Sequence, residues 1–325
     1  MTGGAAMSRL AWRTILTCTI AAGAGCSNAT GPVNARHPAG VVVGTPLVAS
    51  RPFAVAISVG GVAYVGRQDI PFLQATTLPG TAFGDSVRVG ADPTDIAFNQ
   101  AGTTAYVTNQ FSGNLGIVSV AAGNSIDSVA VPGAPFRVLA APNTGQVFVS
   151  SNNDSVYAIG LSSKTVVRRW GFSTPVNGMA LTSDGGVLYV SSIGGELYRL
   201  NVNGSGSVDS TLVGGKPQDV ALAPDGHELY LANETGSLEI RNPTSLARID
   251  TVTGAAGAFG LKPTPDGAQL YATYPGLGLI RIIEVGSRTL GPTVVVGGVP
   301  RRVAFDRTGG TALIPNEAGF VTVIR

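Results

Sequence analysis

The 325-residue sequence predicts an all-β fold, a seven-bladed β-propeller of four-stranded blades. Three observations carry that prediction. A large apolar residue returns as Tyr64, Tyr106, Phe148, Tyr189, Tyr230, Tyr271 and Leu313, at spacings of 42, 42, 41, 41, 41 and 42 residues. Self-similarity at a fixed period of this size marks an array of stacked units. Glycine reaches 45 residues and proline 20, which suits many tight turns and short strands. No segment sustains a 3.6-residue apolar period, so helices have no support.

Within a unit the strands follow in order. The fifth copy reads "QDVALA", the turn "PDG", "HELYLAN", the loop "ETG", "SLEIRN", a second turn, and "ARIDTVT". Each run alternates or is rich in β-branched residues, as strands require. A Gly-containing turn precedes the marker residue in every copy, from "VGG" at 59–61 through "DGG", "DGH" and "DGA" to "TGG" at 308–310. Asp-Gly suits a hairpin turn with positive φ because Gly has no Cβ to clash. A lone sheet of this kind is apolar on both faces. Packing seven such sheets face to face around an axis covers them all.

The two ends of the repeat complement each other. The seventh copy stops at its third strand, "FVTVIR" (320–325), while "VVVGTPLV" (41–48) stands before the first copy with no blade of its own. The expectation is that 41–48 supplies the missing fourth strand of the last blade and closes the ring.

"AYVTN" (105–109), "GNLGIVSV" (113–120) and a preceding "P-x-x-V-A" resemble the YVTN β-propeller repeat family, over residues from about 40 to 325. The resemblance implies the fold and no particular chemistry. Copies one, six and seven depart from it with "YVGR", "YATY" and "LIPN". In the repeat, Tyr and Thr fall on one strand face and Val on the other. Tyr106 and its equivalents are expected to wedge between blades, each worth roughly 1.5–3 kcal/mol of burial. Asn109, Asn152, Asn233 and Asn316 come where the strand ends, where Asn tolerates left-handed backbone and can bond a turn.

The N-terminus reads as an address. Arg9 and Arg13 precede the apolar to small-residue run "TILTCTIAAGAG" (14–25) and Cys26, the pattern of a secretory signal. "GAGC" resembles a bacterial lipobox, which implies lipidation at Cys26. Cleavage after Ala24 is the other reading. The expected organisation is a signal segment 1–26, a flexible linker 27–40 and the propeller 41–325, exported to the cell envelope on the periplasmic side or outer surface. Residues 1–26 hold two arginines and no acid, so the remainder balances 19 basic against 19 acidic side chains. Such a surface does not suit nucleic acid. Contact with the membrane is expected only through the lipid, and the chain is expected to be a monomer. With Cys18 in the signal, the mature chain keeps at most Cys26, which precludes an internal disulfide.

Ligand sites on this architecture are expected where loops converge on the axis. The residue two after the leading Pro of each unit is Ala54, Asp95, Arg137, Asn177, Asp219, Gly260 and Arg302, with Arg301 beside the last. Such a mixed ring can grip a polar or zwitterionic ligand, or can neutralise itself around a wet channel. Arg137, Arg301 and Arg302 can alternatively hold a small anion. Phe111, Phe136, Ile193, Phe259, Tyr274 and Pro275 fall in loops of the same face and suit a partner-protein surface or packing among the loops.

Enzymatic alternatives find little. Gluconolactonase-like propellers hold a divalent metal with Glu, Asn and Asp; Asp95, Asn177 and Asp219 resemble part of that set, with Ala54 where the Glu is expected. Related phosphogluconolactonase-type propellers use a histidine, and this chain has only His37 and His227, neither expected near the ring. The loop "SSNNDS" (150–155) suits Ca²⁺ or a plain turn. No nucleophile elbow, P-loop or H-E-x-x-H is present. The expectation is therefore a non-catalytic binding or protein-interaction scaffold, without cofactor unless a divalent cation binds, whose partner is a protein or a small polar ligand. The alternative is a metal-dependent lactonase-type hydrolase.

Overall fold

The computed structural model describes Met1 and residues 36–48, 51–84, 86–142, 144–203 and 208–325. The expected signal segment beyond Met1, Cys26 and most of the expected linker lie outside the described residues. The chain divides after Pro32, and everything from Arg36 on belongs to one compact unit.

That unit is a propeller of seven antiparallel four-stranded sheets, as the repeat predicts. The inner strands are Pro52–Ile57, Pro93–Phe98, Pro135–Ala140, Val176–Leu181, Pro217–Leu222, Leu261–Pro263 and Ala304–Phe305. The marker residue lies on the second strand of each blade, for example Tyr106 on Thr104–Asn109 in blade two. The outermost strands expose apolar residues such as Val167 and Leu212, because they have no neighbouring sheet to cover them.

Seven buried clusters hold the blades together, one at each junction. Tyr106 packs with Val138, Val149 and Tyr157 of blade three, and Phe148 with Met179 and Leu188 of blade four. Equivalent clusters join blades one and two, four and five, five and six, and six and seven. The seventh cluster places Leu313, Val321 and Val323 of blade seven against Val55, Ala63 and Val65 of blade one. The expected wedge role of the marker residue is met in every blade.

The final blade is completed from the other end of the chain. Val42–Gly44 pairs antiparallel with Phe320–Ile324, with Val42 opposite Ile324. The N–H of Val41 donates to Arg325 O (3.1 Å) and that of Arg325 to Val41 O (2.9 Å). Further along, Val48 N–H donates to Gly319 O (3.0 Å), and the Val48 side chain enters the blade-seven–blade-one core. Residues 36–40 of the expected linker are also held: Arg36 N–H donates to Thr308 O (3.0 Å), and His37 Nδ1 lies 2.8 Å from Asp266 Oδ2.

Two motif assignments shift by one residue. In blade three Ser151, not Asn152, occupies the strand-end position, because Pro135 pairs with Ser151 as Pro93 pairs with Asn109. The strand-end asparagines do not use left-handed backbone. Asn109 donates to Asn114 Oδ1 (2.8 Å), whereas Asn233 and Asn316 act as side-chain clamps on the loop entering the inner strand. Asn233 accepts from Lys216 N–H (2.8 Å) and donates to Gly214 O (2.9 Å), while Asn316 accepts from Val299 N–H (2.8 Å) and donates to Gly297 O (2.7 Å).

Closure by strand exchange makes a direct prediction. A chain beginning at Arg51 loses the fourth strand of blade seven and should lose its single cooperative thermal transition in calorimetry; an unchanged melting temperature would contradict the closure.

Candidate functional site

The site begins with a shared irregularity. The inner strands of blades one, two, three and five shift register between the leading Pro and the residue two later, as between Pro93 and Asp95. Such a bulge places two residues opposite one and re-aims their side chains. In blades three, four and six a hydroxyl at the third residue of the repeat accepts from the inner strand at this level. Ser150 Oγ accepts from Arg137 N–H (3.1 Å), Ser191 Oγ from Gly178 N–H (3.1 Å) and Thr273 Oγ1 from Gly260 N–H (2.9 Å). Thr273 also donates to Arg301 O of the next blade at 2.7 Å.

Strand pairing then fixes the ring. Asp95 stands opposite Thr108, Arg137 opposite Ser150 and Asp219 opposite Ala232. In blade four Val176 occupies the place of the leading Pro, opposite Ser192, so Gly178 and not Asn177 falls at the ring level. Asn177 stands one residue outward and donates to Gln218 Oε1 at 2.7 Å. Only Gly fits at 178, since a Cβ there would lie 2.6 Å from Asp219 Cα.

The carboxylates of the ring tie neighbouring blades together. Asp95 Oδ2 accepts from Val138 N–H of blade three (3.0 Å). Asp219 Oδ2 accepts from Leu261 N–H of blade six (3.1 Å), and Oδ1 from Val220 N–H (3.1 Å) and Arg137 Nη2 (2.9 Å). Arg137 Nε lies 3.5 Å from Asp95 Oδ2, and Arg302 Nη1 lies 3.5 Å from Asp219 Oδ2. Burial pulls the Arg137 guanidinium down, but Asp219 and Asp95 outweigh it and hold it above the ordinary arginine value. At Arg302, burial and then the Arg137 charge win, bringing it down to about 10, still charged at neutral pH.

Arg302 also shapes the expected mouth. Its guanidinium carbon lies 5.5 Å from the Phe53 ring centre, 5.4 Å from that of Phe136 and 5.5 Å from that of Phe259. Phe53 packs edge-on against both Phe136 and Phe259. Arg301 sits over Phe53 and Phe259 and pairs with Glu317. A cation surrounded by aromatic faces is held by their quadrupoles. This end of the axis is filled by side chains, and the aromatic residues expected there are packed together. Tyr274 is buried with its hydroxyl donating to Ala255 O (2.9 Å), Ile193 and Pro275 are half-buried, and of the six only Phe111 is freely displayed, at 81%.

The axis is open at the other end. A funnel of about 460 Å³ reaches from the 1–2 turns, at Val59, Asn99 and Gln100, down to Asp95, Arg137, Asp219 and Arg302. A second lobe of about 410 Å³ shares Arg137, Leu139 and Lys262 and extends towards Thr182 and Ser183. The tier above the charged floor comprises Ala56, Ala97, Leu139, Ala180, Ala221 and Ala304, with Lys262 in blade six. Lys262 makes no hydrogen bond and no ion pair among the described residues, and it lines both lobes of the funnel. The surrounding walls and then Arg137 lower it from the ordinary lysine value, against the weaker pull of Asp219 and Asp95. Counting two residues from the leading Pro overlooks it. A signal was present: the Ala of "P-x-x-V-A" becomes Lys in the sixth copy, "FGLKP".

The expected metal set is not assembled. Asp95 and Asp219 are brought onto one floor but are engaged by guanidinium and backbone N–H groups, and Asn177 lies on another tier. Among the described residues no group of three or more His, Cys, Asp or Glu side chains is placed to hold a metal ion. His227 is exposed in the blade-five turn, and His37 pairs with Asp266.

Two outcomes test this geometry. Asp219→Ala leaves Arg137 and Arg302 short of a carboxylate, and should cost about 3–5 kcal/mol in urea unfolding. Lys262→Met should act in the opposite direction. With the folded-state pKa below the 10.5 of a free lysine, the unfolded chain binds more protons between the two values, and stability rises with pH across that window. The variant should therefore melt higher at neutral pH, with the gain shrinking as pH rises through the window. A lower melting temperature would show the lysine to be a structural member of the wall.

No protein-family model matches the sequence, and no curated protein matches it. Among solved structures, a chain of hydrazine synthase from Kuenenia stuttgartiensis is similar, with a TM-score of 0.76 and 18% identity over 89% of this chain and 99% of that one. Similarity at that identity establishes the propeller fold alone.

Proposed function

We propose that the protein is a non-catalytic binding propeller whose ligand site is the axial funnel opening between the 1–2 turns. The observation that carries this reading is the asymmetry of the axis. One end is plugged by Phe53, Phe136, Phe259 and Arg302, and the other is an open cavity with a charged floor and apolar walls. A cavity of this size that combines apolar side chains with converging polar and charged groups suits a small molecule. The site residues are Asp95, Arg137, Asp219 and Arg302 from the ring, with Lys262 added. Asn177 and Arg301 stand outside the cavity, engaged with Gln218 and Glu317. The packing of the loop-face aromatics favours a small ligand over a protein partner on that face. The engaged carboxylates disfavour the lactonase alternative, which needs oxygen ligands free for a metal.

Within this reading the repeats belong to the YVTN type, and the N-terminal segment exports the chain and anchors it through Cys26 to the cell envelope. The binding test is retention of small molecules by the purified protein, read by mass spectrometry after denaturation. The wild type should release a compound that a folded Ala97→Trp variant, its funnel obstructed, does not. Retention unaffected by Ala97→Trp would remove the funnel as the site. Cys26→Ser should move the protein from the membrane to the soluble fraction, and unaltered fractionation would remove the anchor.

A further inference from the structure

We infer that the funnel selects a small monocarboxylate with an aliphatic body, its carboxylate held by Lys262 and its chain lying against the alanine tier. This inference rests on the reading of the funnel as a ligand site and names the ligand class.

Charge arithmetic points to an anion. Arg137, Arg302 and Lys262 carry three positive charges around the floor, against two negative charges on Asp95 and Asp219. The two arginines consume both carboxylates: Arg137 contacts Asp95 and Asp219, and Arg302 contacts Asp219. The surplus charge therefore resides on Lys262, the one cation of the five groups with no partner. Lys262 is exposed to the funnel, so a single anionic group entering from the open end meets an unmatched positive charge. A dianion would exceed the surplus by one and meet Asp95 and Asp219 at the floor.

The walls argue for the rest of the molecule. Six of the seven positions in the Lys262 tier are Ala or Leu, and offer no hydrogen bond from their side chains. Against those side chains the hydroxyls of a sugar or a polyol find no partner, whereas a short alkyl chain gains by leaving water. Alanine at five positions keeps the funnel wide enough for a chain of a few carbons. The floor is the less inviting end for the carboxylate, since Asp95 and Asp219 are negative there and Arg302, whose Nε and Nη2 have no hydrogen-bond partner, is only 4% exposed. Lys262, reached first from the open end, has three free N–H donors.

The depressed pKa of Lys262 agrees with this assignment and gives it a second readout. The groups facing the ammonium are Arg137, which lowers it, and Asp219 and Asp95, which raise it; the neighbouring Arg302 is itself positive. A bound carboxylate adds an attractive charge at closest range, favours the protonated lysine, and makes affinity fall as pH rises through the lysine's own titration.

The experiment is calorimetric titration of the purified chain with hexanoate, hexanol, hexylamine and inorganic phosphate, on wild type, Lys262→Met and Lys216→Met. Hexanoate should bind at least tenfold more tightly than hexanol or hexylamine, and Lys262→Met should reduce it to the level of hexanol. Lys216→Met, in a loop of the opposite end, should bind as wild type does. Hexanoate affinity should also decline with rising pH in the wild type and not in Lys262→Met. Equal binding of hexanol and hexanoate would overturn the carboxylate assignment while leaving the funnel as a ligand site. Tighter binding of phosphate would overturn the monocarboxylate class. Failure of all four probes would overturn this inference, while retention of a funnel-dependent compound by the wild type would preserve the broader reading.

Discussion

Seven sheets converging on one axis leave a narrow space at which every buried charge must find a partner. Much of the molecule follows from that crowding. The outer parts of the blades are held by apolar clusters, and the chain can vary there as long as volume is kept. At the axis the inner strands come within van der Waals distance. Gly178 lies against the backbone of Asp219, and Asp219 reaches across to Leu261 of the next blade. A carboxylate in this position is a strut between blades before it is anything else.

The struts determine what remains for function. Asp95 and Asp219 each cap a backbone N–H of the following blade, and their remaining charge is taken up by Arg137 and Arg302. Arg302 in turn is enclosed by three phenylalanines that shut one end of the axis. Catalysis by these carboxylates would require breaking contacts that hold the ring. Binding requires only that one charge be left over, and Lys262 is left over. A lysine left without a partner in an otherwise alanine-lined tier is the feature on which the proposed ligand site rests.

Much of the architecture was legible from the sequence because its physical causes are periodic. Tyr106 and its counterparts recur wherever a blade meets its neighbour, and the orphan run 41–48 answers the missing strand after residue 325. The site was legible in composition and less so in register. Asp95, Arg137, Asp219 and Arg302 do share the axis, but Pro175 precedes its strand by one residue more than Pro93 or Pro217 does. Counting from it landed on Asn177, and only strand pairing reveals Gly178. The same one-residue slip separates Asn152 from Ser151. Which end of the axis is open depended on how Phe53, Phe136 and Phe259 pack around Arg302, a contact among three blades that no local pattern encodes. Lys262 was hidden for a different reason: its significance lies in the six alanine and leucine residues around it, which only the closed ring brings together.

The account therefore turns on an unpaired ammonium in the funnel. Its most direct test is NMR titration of Lys262, with selectively labelled lysine and the resonance assigned from Lys262→Met, in the absence and presence of saturating hexanoate. The prediction is a pKa below that of an ordinary lysine in the free protein, rising when the carboxylate is added. An ordinary value that does not move on adding carboxylate would mean that the funnel carries no surplus charge for a ligand to neutralise.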